Sequence, residues 1–166
     1  MKTVRRYHKP GDVCFITNNA YRRMPILTGN AGMLWKAIEN TRSRTHFDVI
    51  AWVILPDHLH IIIDSRNDDI SRIVQRIKMS FAAYYRKANR MSSGRVWQNR
   101  FWDHIIRNDG DMGRHVDYIH YNPVKHGLAK SPFEWEHSSV FQFYPKKDWE
   151  FDLKLAESFD GAEFGE

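Results

Sequence analysis

The sequence predicts an α+β fold: a ferredoxin-like (RRM-like) antiparallel sheet with helices packed on one face, followed by a further helix. Three observations lead there. Apolar residues recur with the period of a strand or of a helix in the order β-α-β-β-α-β, with a last helical stretch beyond. The two central strand runs are joined by a bare "PD", which leaves room only for a tight hairpin. The chain of 166 residues, with 42% hydrophobic and 14% aromatic residues, suffices for one domain with its own core.

The elements follow in order. "DVCFITNNAY" supplies a first strand over Val13 to Thr17, running into a polar turn. After Pro25, Thr28 or Asn30 can cap a helix in which Met33, Leu34, Ala37 and Ile38 fall at helical spacing. "FDVIAWVIL" is a second strand, and its near-continuous apolar run predicts burial on both faces. "HLHIIID" returns as its antiparallel partner. The next helix is marked by the stripe Ile70, Ile73, Val74, Ile77 and Phe81, with Asp68 or Asp69 at its start and Arg72, Arg76, Lys78, Arg86 and Lys87 on other faces. "DHIIRN" is a short strand able to complete the sheet. The last helix is expected from about Asp111 to Asn122, because Pro123 disfavours helical geometry in the residue before it.

Charge is unevenly spread. From Asp148 onward there are seven acidic residues and one lysine, a balance of −6, so residues 1–147 carry 24 bases against 13 acids, or +11. The chain thus divides into a basic domain, 1–147, and an acidic tail, 148–166. A body this basic favours a polyanionic partner, nucleic acid first. No apolar run approaches a bilayer span, and "MKTVRRYHKP" lacks the apolar stretch of a signal peptide, so the chain reads as cytoplasmic. The single cysteine, Cys14, excludes an internal disulfide framework and any multi-cysteine zinc site.

The stretches able to carry chemistry are three. In "PDHLHI", His58 and His60 share one face of a strand while Leu59 and Ile61 take the other. Two such imidazoles can converge on one divalent metal, although the pattern alone equally describes two histidines on a solvated face. In "VDYIHYNPVKHG", Tyr118 and Asn122 stand four residues apart on one helix face. The amide oxygen of Asn122 is a competent ligand for hard cations. The phenol of Tyr118 would lie a turn away, placed to attack a polarised phosphate. Tyr121 and His120 compete for that role, and only the metal-capable partner at i+4 separates Tyr118 from Tyr121. The packing alternative has Tyr118 as a half-buried aromatic and Asn122 as a helix cap. In "GRVWQNRFWDHIIRN", Arg95, Arg100 and Arg107 suit phosphate contact and Trp97 suits base stacking, against the alternative that Trp97 is core. Arg5 and Arg6 in "VRRYHK" form a second basic cluster.

"ILPDHLHIII", "VWQNRFWDHIIR" and "DYIHYNPVKHGL", in this order, resemble the REP-associated tyrosine transposases, relatives of the single-tyrosine HUH transposases. The resemblance extends from "YRR" before residue 25 through "WEHSSVFQFYPKKDW", nearly the whole chain. It implies a ferredoxin-like single-stranded DNA endonuclease and strand transferase, acting on hairpins of repetitive extragenic palindromes. It also implies His58 and His60 as the metal pair, Tyr118 as the nucleophile, and Asn122 in the place of a third ligand. The ion would be Mg²⁺ or Mn²⁺, the intermediate a covalent 5′-phosphotyrosine, and the active species a monomer or homodimer. No residue is identified as the base for Tyr118, His120 being one candidate. The competing readings are a non-catalytic nucleic-acid binder on the same fold, whose stacking aromatics would lie on the sheet, and a small HxH metalloenzyme, which leaves the basic body unexplained.

Overall fold

The computed structural model describes residues 8–144 and 164–166; Arg5, Arg6 and the acidic stretch up to residue 163 lie outside the described residues. Four strands, β1 (Val13–Asn19), β2 (Asp48–Ile54), β3 (His58–Asp64) and β4 (Trp102–Ile105), form one sheet in the order β2-β3-β1-β4. Every neighbouring pair is antiparallel. With α1 (Ala31–Arg42) after β1 and α2 (Ile70–Ala88) after β3, this is the predicted ferredoxin-like plan. The helix α3 (Asp109–Lys125) follows β4.

The alternation of side chains along β3 decides what each face becomes. Leu59, Ile61 and Ile63 join Cys14 and Ile16 of β1 in one apolar cluster under α1 and α2. Ile62 joins Phe15, Ala51 and Val53 in a second cluster under α3. All five residues of the stripe on α2 are buried, and Asp69 caps the helix by accepting the Arg72 backbone N–H at 2.8 Å. Each fully buried Ile or Leu of this kind contributes about 1.5–3 kcal/mol over an exposed one.

Two expectations need correction. The apolar β2 is an edge strand, and Val49, Ile50 and Trp52 are only half-buried. Trp35 packs edge-on against Trp52, with ring centroids 4.7 Å apart, while residues 137–139 bond its far end (Ile54 N–H to the His137 carbonyl, 2.9 Å). Cover from a helix and a returning loop, and not a second flanking strand, explains the apolar run. Secondly, α3 does not stop before Pro123: the proline lies inside the helix, which runs to Lys125. The ring removes one intrahelical donor, yet Pro123 is buried, and its carbonyl accepts from Leu128 N–H at 2.8 Å. Tertiary packing overrides the local preference, and the extra turn brings Lys125 onto the helix. In α1, Asn30 stands at the N-cap position, but its side chain donates back to the Ile26 carbonyl at 2.7 Å and does not cap the helix. No helix among the described residues is long and apolar enough to cross a membrane.

Candidate active site

The sheet face beneath α3 carries the chemistry. The alternation that gives Leu59 and Ile61 to one core sends His58 and His60 to the other side, where both are buried. On α3, Asp111, His115, Tyr118, Asn122 and Lys125 follow at helical spacing down one face. Tyr118 packs edge-on to His60 with ring centroids 5.3 Å apart, so the helix and the strand meet at these residues. Tyr121 is half-buried and the Tyr118 ring is fully buried within the second core cluster.

Each histidine is held by its Nδ1. His58 Nδ1 pairs with Asp57 Oδ1 at 2.7 Å, and His60 Nδ1 pairs with Thr17 Oγ1 at 2.8 Å. The register places Thr17 directly opposite His60 across β1 and β3. Since the Thr17 hydroxyl donates its own hydrogen to the Phe164 carbonyl, it accepts from His60 Nδ1–H. In neutral His60, Nε2 is then a bare lone pair, the arrangement that suits a metal ligand. Burial keeps His60 neutral, pushing its pKa down to about 3. For His58 burial acts the same way, but the carboxylates of Asp57 and Glu166 outweigh it and the pKa is raised.

The two Nε2 atoms, Asn122 and Tyr118 converge on one atom, Oε1 of Glu166. His60 Nε2 lies 3.2 Å from it, His58 Nε2 3.7 Å, Asn122 Nδ2 2.8 Å and His126 Nε2 3.2 Å, and the Tyr118 hydroxyl donates to it. Lys125 Nζ pairs with Glu166 Oε2 and donates to Tyr118 Oη at 3.2 Å. Burial opposes the charge of Glu166, but the His126 and Lys125 donors and the neighbouring His58 hold its carboxyl far below the ordinary range. Burial and the Glu166 carboxylate push the Tyr118 phenol well above its ordinary value. Phe164 lies parallel to the Tyr118 ring at 3.6 Å and 8°, with Arg114 5.8 Å from its centroid. Between the two, Gly165 has φ +79°, and a Cβ there would sit 2.4 Å from Trp102 Cβ.

The donor set fits a metal ion. His58 Nε2 and Asn122 Oδ1 are buried and have no hydrogen-bond partner among the described residues. His60 Nε2 faces a carboxylate oxygen, acceptor against acceptor, where a cation would resolve the repulsion. His58, His60 and Glu166 form one group able to hold a metal; His104, Asp111 and His115 form another.

Other expectations place differently. His120 turns away from Tyr118 to Ser139 Oγ at 3.0 Å, so the geometry gives it no route to the phenol. Trp97 is 6% exposed and packed against Phe81 at 5.2 Å, so the stacking role gives way to the packing alternative. Arg95, Arg100 and Arg107 are exposed, Arg95 lying 5.1 Å over the Tyr21 ring and Arg107 pairing with Asp111. Sequence reasoning missed Thr17, Asp57, Lys125, His126 and Glu166. Asp57 lies in "PDHLHI" and Lys125 and His126 lie in "VDYIHYNPVKHG", while Thr17 is found only once the strand register is known.

Comparison with known proteins agrees with this fold. The family profile described as "Transposase IS200 like" matches residues 12–122. A REP-associated tyrosine transposase of Escherichia coli is 38% identical over 161 residues, 92% of this chain and 93% of the relative. A Haemophilus influenzae protein, provisionally described in the same terms, is 34% identical over 174 residues, 93% of this chain and 98% of the relative. A solved structure of a REP-associated tyrosine transposase bound to a REP hairpin superposes with a TM-score of 0.80 at 37% identity, covering 92% of this chain and 93% of that one.

Proposed function

Because the chain belongs to the REP-associated tyrosine transposases of the IS200-like family, we propose that it nicks and rejoins single-stranded DNA beside a palindromic hairpin through Tyr118. One observation carries the reading: the Tyr118 hydroxyl, the Asn122 amide and the Nε2 atoms of His58 and His60 face a single point, marked by Glu166 Oε1. A scissile phosphate oxygen placed at that point would lie beside the nucleophile and the metal-binding nitrogens together.

His58 Nε2, His60 Nε2 and Asn122 Oδ1 would hold Mg²⁺ or Mn²⁺. When bound, the ion supplies Lewis-acid polarisation of the phosphate and neutralises its charge. Asp57 and Thr17 fix the orientation of the two imidazoles. Tyr118 attacks phosphorus, the new O–P bond replaces the P–O3′ bond, and the products are a 5′-phosphotyrosine and a free 3′-OH. The covalent link conserves the phosphoester for rejoining. Tyr118 reaches the histidines of its own chain, so a monomer can complete the site.

The hairpin seen with the solved relative suggests the substrate. Residues 70–102 hold eight bases and no acid, and Arg95 and Arg100 are exposed within that stretch. These arginines, with Arg107 and the sequence candidates Arg5 and Arg6, are assigned to the phosphate backbone. The acidic tail is assigned an opposing role: Phe164 and Glu166 fill the places of a base and a phosphate, which restrains the site until DNA displaces them. Truncation after Lys147 should then raise cleavage.

The test of the whole reading is a denaturing gel of the protein with labelled hairpin DNA and Mn²⁺. Tyr118→Phe should abolish cleavage and the covalent adduct while hairpin affinity changes little. Cleavage that survives in Tyr118→Phe but is lost in Tyr121→Phe would sink it.

A further inference from the structure

Tyrosine is a reluctant nucleophile. Its phenol ionises near pH 10 in water, and here the buried ring must carry negative charge as its oxygen attacks. The histidine nitrogens are committed to the centre, and His120 is turned away. What stands beside the phenolic oxygen is an ammonium. Lys125 Nζ donates to Tyr118 Oη at 3.2 Å and lies 5.0 Å from the centroid of the same ring. Its side chain is 22% exposed, so the charge is partly withdrawn from water and acts at close range.

The position follows from the helix itself. Lys125 stands seven residues after Tyr118, two turns along the same face, and is reached only because α3 continues past Pro123. A helix ending at Asn122 would have left the lysine without this approach. Lys125 also pairs with Glu166 Oε2 while the Tyr118 hydroxyl donates to Oε1, so one carboxylate bridges ammonium and phenol. A substrate phosphate taking that carboxylate's place would be bridged in the same way.

We infer that Lys125 is a catalytic residue whose ammonium holds the charge developing on Tyr118 Oη in cleavage, and again on the departing phenolate in rejoining. The inference rests on Tyr118 being the nucleophile. In cleavage the Oη–P bond forms as P–O3′ breaks, the phenolic proton passes to water, and the 3′ oxygen leaves with the bonding pair and takes a proton from water. Lys125 stays an ammonium throughout. In rejoining the same steps run backwards, and the leaving phenolate is held by the same charge.

Lys125 also anchors Glu166, so its loss both weakens the nucleophile and loosens the tail. The comparison is therefore made in full-length protein carrying Glu166→Gln, in which that ion pair is already gone. On this background Lys125→Met should slow adduct formation on hairpin DNA with Mn²⁺ by about 10²-fold, the scale of removing one electrostatic donor. Rejoining of a preformed adduct should slow by a similar factor. Hairpin affinity and melting temperature should stay close to the parent, and Lys125→Arg should restore most of the rate by returning the charge. Unchanged adduct formation in Lys125→Met overturns the inference, as does an equal loss in Lys125→Arg and Lys125→Met. A loss that tracks hairpin affinity or melting temperature overturns it too. Tyr118→Phe run alongside separates the two failures: if it still forms adduct, the nucleophile itself is wrongly assigned.

Discussion

Two histidine clusters lie on the same sheet face under the same helix, and they are built for different ends. In the first, the rings of His58 and His60 stand nearly perpendicular, at 85° with centroids 4.8 Å apart. Each Nδ1 is tied to a residue outside the centre, and both Nε2 atoms point inward. In the second, the rings of His104 and His115 lie nearly flat on each other, at 16° and 4.5 Å. Their nitrogens turn to Asp111: His104 Nε2 reaches its carboxylate at 2.9 Å, and His115 Nδ1–H donates to its backbone carbonyl at 2.7 Å. That carboxylate also accepts the backbone N–H and the Nε–H of Arg107. The positive end of α3 and the neighbouring Arg107 and Arg114, which line a cavity of about 300 Å³ here, all disfavour a cation. Proximity of histidines does not make a metal site; the direction of their lone pairs does. The second cluster fastens the start of α3 to β4.

The contrast can be broken most decisively at the histidines. His60→Ala should remove both Mn²⁺-dependent cleavage and the Mn²⁺-induced rise in melting temperature. His115→Ala should keep the metal response while losing about 1–2 kcal/mol of stability with its buried hydrogen bond. A metal response lost in His115→Ala but kept in His60→Ala would reverse the two roles.

A smaller effect is expected one step out. Asp57→Asn leaves the His58 ring in place but weakens its orientation, and should cost about 10–100-fold in Mn²⁺ affinity by direct titration. Asp111→Asn, the matching change in the other cluster, should leave that titration unmoved. Equal losses in both would show that the whole interface, and not the Nδ1 partner, sets affinity.

The smallest effect lies in pH. Burial works against a charge on Asp111, but hydrogen bonds from His104 and Arg107 outweigh it and hold its carboxyl far below the ordinary range. A carboxylate depressed in the folded state stabilises fully above its unfolded pKa and loses that contribution as pH falls through the folded value. Unfolding free energy should therefore decline below about pH 4, and Asp111→Asn should flatten that decline by about 1 kcal/mol. An identical acid limb in the variant would show that the pairing contributes nothing.

What sequence could reveal was set by periodicity. The strand alternation put His58 and His60 on one face, and the helical spacing put Tyr118 with Asn122, because both relations are local. The partners that orient the histidines depend on strand register: Thr17 meets His60 only through the β1–β3 pairing. Pro123 misled because the rule for the residue before proline concerns the isolated backbone, and burial of the ring outweighed it. Trp97 misled because an aromatic among arginines reads alike whether it faces DNA or the core. The RNA-recognition alternative fails on a point no local pattern contains, namely that α3 covers the sheet face such modules keep open.

Gly165 has a consequence of another kind. With φ at +79° and Trp102 Cβ 2.4 Å from where its own Cβ would be, this residue passes a gap that only hydrogen fits. Any other residue would lift Phe164 off Tyr118 and draw Glu166 out of the centre. Every glycine codon is one base change from a larger residue, so, on the role proposed for the tail, a restrained enzyme and an unrestrained one would stand a single mutation apart. The same fold would then be tunable within a population, its activity released by a substitution that touches no group taking part in the reaction.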